Sequence, residues 1–295
     1  MIEISENKKI IFVGPANSGK TSIKRVFFEK ASPLNLLKNP LNPSRGLDSN
    51  IFSILNIKLG IFDLAGQEND YWFSDKGNYI FEDANLIFCV FDIRKSLEYL
   101  TDFILKIFKI KRTLNLENCE IIILLHKVDL VSHSYSKAKL VALKNFFHYQ
   151  CPKDFNFDIK LTSISHKYFY KTFKIFAQIM NSLLNDHLSS LSLKHFQKLE
   201  KALEIIINSK IDAPNQVQDL ARNLNLNIKQ LSVYLNKLER INLIRLHENY
   251  YELTDRGYLI KEGIENEIEK INNDLLSEKS YIFRELTGLA LIHLA

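Results

Sequence analysis

Residues Gly14-Pro15-Ala16-Asn17-Ser18-Gly19-Lys20-Thr21 carry the spacing G-x-x-x-x-G-K-[ST], and the chemistry this spacing supports is the capture of phosphate. The backbone N–H groups of such a loop, at the positive end of a following helix, form an anion cradle. Lys20 would reach the outer phosphates and Thr21 would offer its hydroxyl to Mg²⁺. The pattern has meaning only between a strand and a helix, and both are present. Ile10-Ile11-Phe12-Val13 reads as a buried parallel strand, and Ser22 to Lys30 as a helix. An accidental turn is the plainer reading, but a chain with only 9 glycines makes that accident rarer.

Further motifs fall in a telling order. Asp63-Leu64-Ala65-Gly66-Gln67 follows an apolar run. An aspartate there can hold Mg²⁺ through water, Gly66 can bring its N–H to a γ-phosphate, and Gln67 can orient an attacking water. A strand-ending turn explains Asp63 and Gly66 separately, but not their distance from the loop. In His126-Lys127-Val128-Asp129 the Asp129 carboxylate can accept two hydrogen bonds from the edge of guanine, a donor pair adenine does not present. Lys127 can lie along the base and the loop. A charged strand end is unremarkable alone; its place in the order raises it. In Thr162-Ser163-Ile164 a backbone N–H could reach the guanine carbonyl.

The elements that must position these residues alternate. Strand-like runs Lys9-Val13, Ile51-Leu55, Ile57-Phe62, Asn85-Phe91, Glu120-Leu125 and Phe157-Leu161 are mostly separated by helical patterns. This argues an α/β fold with a mostly parallel six-stranded sheet covered on both faces. The second and third runs are too close for a helical crossover and read as an antiparallel hairpin. Ligands of such sheets collect at the carboxyl ends of the strands, where every motif above falls.

With these residues in place the chain resembles the Ras-like small GTPases, P-loop proteins among which the Rag/Gtr family is nearest. The carriers are Gly19-Lys20-Thr21-Ser22, Asp63 to Gln67, the stretch from Ile80 to Asp92, the histidine His126 where asparagine is usual, and Thr162-Ser163-Ile164. The resemblance covers about the first 185 residues. It implies a switch that binds GTP and GDP with Mg²⁺ and hydrolyses GTP slowly, with switch segments near Leu36–Asn50 and Ala65–Tyr79. It further implies that Gly14, Asn17, Ser18, Gly19, Lys20, Thr21, Ser22 and Gly66 hold phosphates, and that His126, Lys127, Asp129, Ser163 and Ile164 surround the base. Thr21, Ser44 and Asp63 would serve the metal, and Gln67 and Lys20 the hydrolysis. Departures are informative. Ser44 stands where the first switch usually has threonine, Ala16 adds bulk where Ras-type enzymes have glycine, and His126 lacks an amide that could tie strands together. No arginine is obviously placed as a finger in cis, so a partner would supply one.

After Asp186 the pattern changes. Leu188 to Leu193 reads as a linker or helix end. Next come an amphipathic helix from His195 to Ser209, a helix opened by Pro214, a third from Ile228 to Arg240, two short strands (Leu243-Leu246 and Tyr250-Leu253), and a final helix with Thr254 as N-cap. This resembles a winged helix-turn-helix domain. The organisation is thus 1–187 for the nucleotide domain, 195–262 for an α+β winged-helix domain, and 263–295 for a C-terminal helical tail. A roadblock-type dimerisation pattern is not found.

Winged helices serve protein contacts as well as DNA. His195 to Glu262 holds ten basic and nine acidic residues, near neutrality where DNA readers show a basic face. Gln230 or Asn236 could contact a base and Lys229 or Arg245 a phosphate, so a nucleotide-gated DNA-binding regulator stays as the alternative. Protein interaction or an intramolecular role fits the module better; the partners expected of the whole chain are a protein effector or regulator and a second subunit in a homo- or heterodimer. The formal net charge of +5 comes without a like-charge tract. Cys89, Cys119 and Cys151 are odd in number and unpaired by spacing, as in a reducing cytoplasm. Neither a signal peptide nor a transmembrane segment is expected.

Overall fold

The computed structural model describes residues 7–54, 57–150, 157–184, 193–211 and 213–270. Cys151 and the Leu188–Ser192 part of the expected linker lie outside these, as does the tail beyond Lys270.

Six strands form the larger sheet: β1 (Asn7–Val13), β2 (Leu47–Ile54), β3 (Ile57–Leu64), β4 (Leu86–Asp92), β5 (Glu120–His126) and β6 (Phe157–Thr162), in the spatial order β2-β3-β1-β4-β5-β6. Only β2 runs antiparallel, paired with β3 as a hairpin. The apolar run of β4 is buried along its whole length, as a central strand covered on both faces requires. Between the strands lie α1 (Lys20–Phe27), α2 (Pro33–Lys38), the single turn α3 (Asn69–Trp72), α4 (Leu97–Thr113) and α5 (His133–Gln150). One core joins Ile11, Val13, Ile87, Phe91 and Ile123 of the sheet to Leu100, Ile104 and Phe108 of α4 and to Leu143 and Phe147 of α5.

Register brings the motif ends level. Phe12 pairs with Asp63, Val13 with Cys89, Asp92 with His126, and His126 with Thr162. The carboxyl edge of the sheet is therefore a row of polar groups closing four apolar strands.

By contact the chain divides into two compact units, one of 1–24 and 40–168, the other of 25–39 and 169–295, so the division runs through α1 and through α6 (His166–Leu183). In the second unit Phe27 stacks on Phe176 and Phe169, with ring centroids 4.7 Å and 5.7 Å apart. The same unit contains α7 (Leu193–Asn208), β7 (Asn215–Gln216), α8 (Val217–Asn223), α9 (Ile228–Arg240), β8 (Ile244–Leu246), β9 (Tyr250–Leu253) and α10 (Asp255–Lys270). Ile205, Ile206, Leu231, Leu235, Leu238, Tyr251 and Ile260 are among its buried residues.

Two expectations for this module change. Pro214 does not open a helix but precedes β7, and the wing is a three-stranded sheet in the order β7-β9-β8. The cause is Asn215, whose buried amide accepts from Lys210 N (2.6 Å) and donates to Lys210 O (3.1 Å), holding the segment extended against Tyr251. Thr254 does cap α10, its hydroxyl accepting from Gly257 N at 3.1 Å, and α10 runs unbroken across residues 262 and 263.

Candidate functional site

The loop after β1 is shaped by close approaches. A Cβ at Gly14 would sit 2.1 Å from Val90 O, and one at Gly19 2.5 Å from the His126 ring, so side chains are excluded where the loop turns onto the sheet edge. Lys20, buried in the first turn of α1, donates to Gly14 O (2.9 Å) and Pro15 O (2.8 Å). Burial pulls its pKa down to about 8, opposed by the charge of Asp63, so it stays mainly cationic at neutral pH. Three oxygens meet beside it. Thr21 Oγ1 donates to Asp63 Oδ2 at 2.6 Å and lies 2.8 Å from Ser44 Oγ. Thr21 has a single hydroxyl proton, so Ser44 is the donor in that second bond. Asp63 is fully buried, its pKa raised by burial against the opposing pull of Thr21, Lys20 and Lys24. Its Oδ1 has no hydrogen-bond partner among the described residues, nor has the buried Ser18 Oγ. A carboxylate and two hydroxyls around an unsatisfied acceptor make a hard-oxygen set that fits Mg²⁺.

The segment after β3 closes on the loop. Gly66 lies so near that a Cβ would stand 2.3 Å from Ala16 N. Gln67 is exposed, in a single 3₁₀ turn from Gly66 to Glu68. The hydrogen bonds here belong to its neighbours. Glu68 accepts from Gly46 N at 2.7 Å, while Asn69 Nδ2 donates to Gly14 O (3.1 Å) and Gly66 O (2.8 Å). The sequence reading missed Glu68 and Asn69, because Gln67-Glu68-Asn69-Asp70 looks like any exposed polar run.

On the base side, His126 ends β5 fully enclosed. Its Nδ1 lies 3.1 Å from Thr162 Oγ1 on β6, so the imidazole does tie neighbouring strands, contrary to the expectation drawn from the missing amide. Burial and then Lys127 lower its pKa to about 4, against the pull of Asp129 and Asp92; the ring is neutral at physiological pH. Lys127 adopts a left-handed conformation (φ 63°) and donates to Asn17 O at 2.6 Å. Its Nζ is also 3.2 Å from Asp92 Oδ2. Arg94 grips the same carboxylate with two bonds, Nε to Oδ1 at 2.9 Å and Nη2 to Oδ2 at 2.7 Å. Burial alone would raise the Asp92 pKa, but Arg94 and Lys127 hold it well below the usual carboxylate range. Asp129 is exposed and accepts the Ser163 hydroxyl, while Ile164 is buried.

A cavity of about 450 Å³ is lined by Pro15, Ala16, Asn17, Ser18, Asp92, Arg94, Lys95 and Lys127. Arg94 thus faces the loop, where the sequence had suggested no arginine in cis, although its guanidinium is turned to Asp92. Asp92 stood within the stretch already quoted as family-like, and its final position on a strand end was the signal that it serves the site.

In the winged module, Gln230 is consumed by its own helix. Its N–H donates to Asn227 Oδ1 at 2.8 Å and its Oε1 accepts from Asn227 N at 3.2 Å. Ile228 and Val233 are more than half exposed on the same helix. Tyr251 is core, its hydroxyl 2.9 Å from Ser209 Oγ.

A strand, a phosphate loop and a helix on a mostly parallel sheet, with a guanine-type DxxG and an HKxD strand end at the same edge, define a G protein. Residues 9–213 match the Gtr1/RagA G protein conserved region, well over half of the chain, and the chain belongs to that family. Residues 199–272 match a winged helix-turn-helix domain. No curated protein matches the chain. Among the described residues, no helix is long and apolar enough to cross a membrane. The chain is therefore a guanine-nucleotide-binding switch protein of the Gtr1/RagA family with a winged helix appended.

Proposed function

We propose that this switch binds its nucleotide together with Mg²⁺, hydrolyses GTP slowly, and signals through a winged helix that contacts protein. The observation that carries the reading is the meeting of Thr21, Ser44 and Asp63 beside Lys20, with Asp63 Oδ1 unsatisfied. In this reading Lys20 and the N–H groups of Gly14 to Ser22 hold the phosphates, and Thr21 and Ser44 hold the metal with Asp63 behind them. Bound there, Mg²⁺ would neutralise charge on the outer phosphates. Gln67 swings in from its exposed turn to orient water, and Gly66 offers its N–H to the outer phosphate. Asp129 selects guanine, with Lys127 along the base and Ser163 and Ile164 closing the far side. In this reading turnover is slow because Gly66 lies tight against the Ala16 backbone, where a Cβ would stand 2.3 Å from Ala16 N, leaving little room to bring Gln67 into line.

The sequence division at 1–187, 195–262 and 263–295 gives the parts their tasks, and the buried free thiols Cys89 and Cys119 suit a reducing cytoplasm. For the winged helix, the self-capped Gln230 and the exposed Ile228 and Val233 favour a protein effector, regulator or second subunit over a base pair. The test is competition for a fluorescent GDP. GTP should displace it and ATP should not, and Asp129→Asn should move preference towards xanthine nucleotides. Undiminished GTP affinity in that variant would refute the base-site assignment.

A further inference from the structure

The second compact unit unites residues 25–39 with the winged-helix module. Residues 25–39 begin inside α1, whose first turn carries Lys20 and Thr21, and end just before the segment that carries Ser44. Three residues of the module grip this stretch. Arg256, 1% exposed, donates to Val26 O near the end of α1. Asn242 Nδ2 donates to Lys30 O at 2.9 Å, where Lys30 turns the chain with a left-handed φ of 63°. Asp255 Oδ2 accepts the Ser32 hydroxyl, and Leu34 N lies 3.4 Å from the same oxygen. Ser32 is itself the N-cap of α2, accepting from Asn35 N at 3.1 Å. Thr254 donates to Asn242 O at 2.6 Å, so the three consecutive residues 254–256 and Asn242 act together.

The grip is anchored on its other side within the same unit. Glu267 of α10 accepts from Tyr170 (2.9 Å) and Lys174 (2.6 Å) of α6, and Gly263 lies so near Tyr170 that a Cβ would stand 2.0 Å from its ring. Beyond α2, only Asn39-Pro40-Leu41-Asn42-Pro43 separates Lys38 from Ser44. Two prolines in five residues stiffen that connection, fixing φ at their own positions and restricting the residue before each. A displacement of α2 therefore has few bonds in which to dissipate before it reaches Ser44.

We propose that Asp255, with Asn242, is a positioning residue of the nucleotide site, supplied in cis by the winged helix and acting through Ser32 and α2 on the segment that bears Ser44. The inference rests on the guanine-nucleotide switch reading and deepens it by naming the route between the parts. Its consequence is reciprocal: whatever engages the winged helix changes the relative affinity for GDP and GTP, and nucleotide state changes the affinity for that partner by the same factor.

The test uses the full chain and measures dissociation rates of fluorescent GDP and of a fluorescent non-hydrolysable GTP analogue. The variants are Asp255→Ala, Ser32→Ala and Asp255→Asn. The ratio of the two rates should change about fivefold or more in Asp255→Ala and in Ser32→Ala, a coupling of ordinary size. Combining the two should add little. Asp255→Asn keeps an oxygen acceptor and should retain the wild-type ratio. A merely structural role would alter thermal stability and both rates alike, leaving the ratio in place. Should Asp255→Ala fail to fold, Ser32→Ala, which loses the bond to Asp255 and the cap bond from Asn35 N, and Asn242→Ala, which loses the bond to Lys30 O, still decide the matter. An unchanged ratio in the folded variants would overturn this inference alone. A wild-type chain that bound neither nucleotide would overturn the switch reading, and this inference with it.

Discussion

Replacing His126 by asparagine should remove a pH dependence from the stability of the nucleotide-binding unit. The wild-type ring is enclosed between Gly19 and Thr162, and burial lowers its pKa from 6.5 to about 4. A depressed histidine pKa means that the unfolded chain takes up a proton the folded one refuses. The stabilisation is thus fully present above the unfolded pKa and is lost as pH falls through the window from 6.5 to about 4. Between about pH 7.5 and about pH 5 those two pKa values give a loss of about 2 kcal/mol, as an order of magnitude. The assay is urea unfolding followed through Trp72, the sole tryptophan, which is buried in the same unit as His126. Other titrating groups are common to both proteins, so the quantity to read is the difference between them. His126→Asn should lose about 2 kcal/mol less than wild type over that range. Equal losses would show that the ring is charged or solvated in the folded state, and would refute the argument from burial.

Two further outcomes follow from the same site. Asp92→Asn weakens the anchor shared by the exposed Arg94 and the part-buried Lys127, and GDP should dissociate about fivefold faster. A nucleotide filter or stopped-flow assay reads this, and an unchanged rate would show that Lys127 needs no carboxylate to reach Asn17. Gln67→Leu should slow single-turnover hydrolysis about tenfold or more while leaving GTP affinity nearly intact; a wild-type rate would remove Gln67 from the mechanism.

Much of the nucleotide unit was legible because its signals are local. A buried parallel strand must be a continuous apolar run, and Ile10 to Val13 and Leu86 to Phe91 are such runs. The loop glycines are forced by close approach, Gly14 to Val90 and Gly19 to His126, and only glycine meets that demand. Ser44 was the least regular of the expected ligands, yet its hydroxyl stands 2.8 Å from Thr21. The wing was misread by one strand, because Asn215 earns its place through a pair of hydrogen bonds across a turn, which leaves no periodic trace.

The sequence by itself therefore determined the class: the phosphate loop, the DxxG and HKxD strand ends and a mostly parallel six-stranded sheet, all carried by short spacings. Tertiary structure alone decided which polar residues act. Glu68, Asn69 and Arg94 look like ordinary surface residues until the fold brings them to Gly46, Gly14 and Asp92. The same holds more strongly for Asp255 and Ser32, 223 residues apart in sequence yet hydrogen-bonded. Hydrogen bonding depends on distance and direction in space, and a linear pattern records neither for residues so far apart.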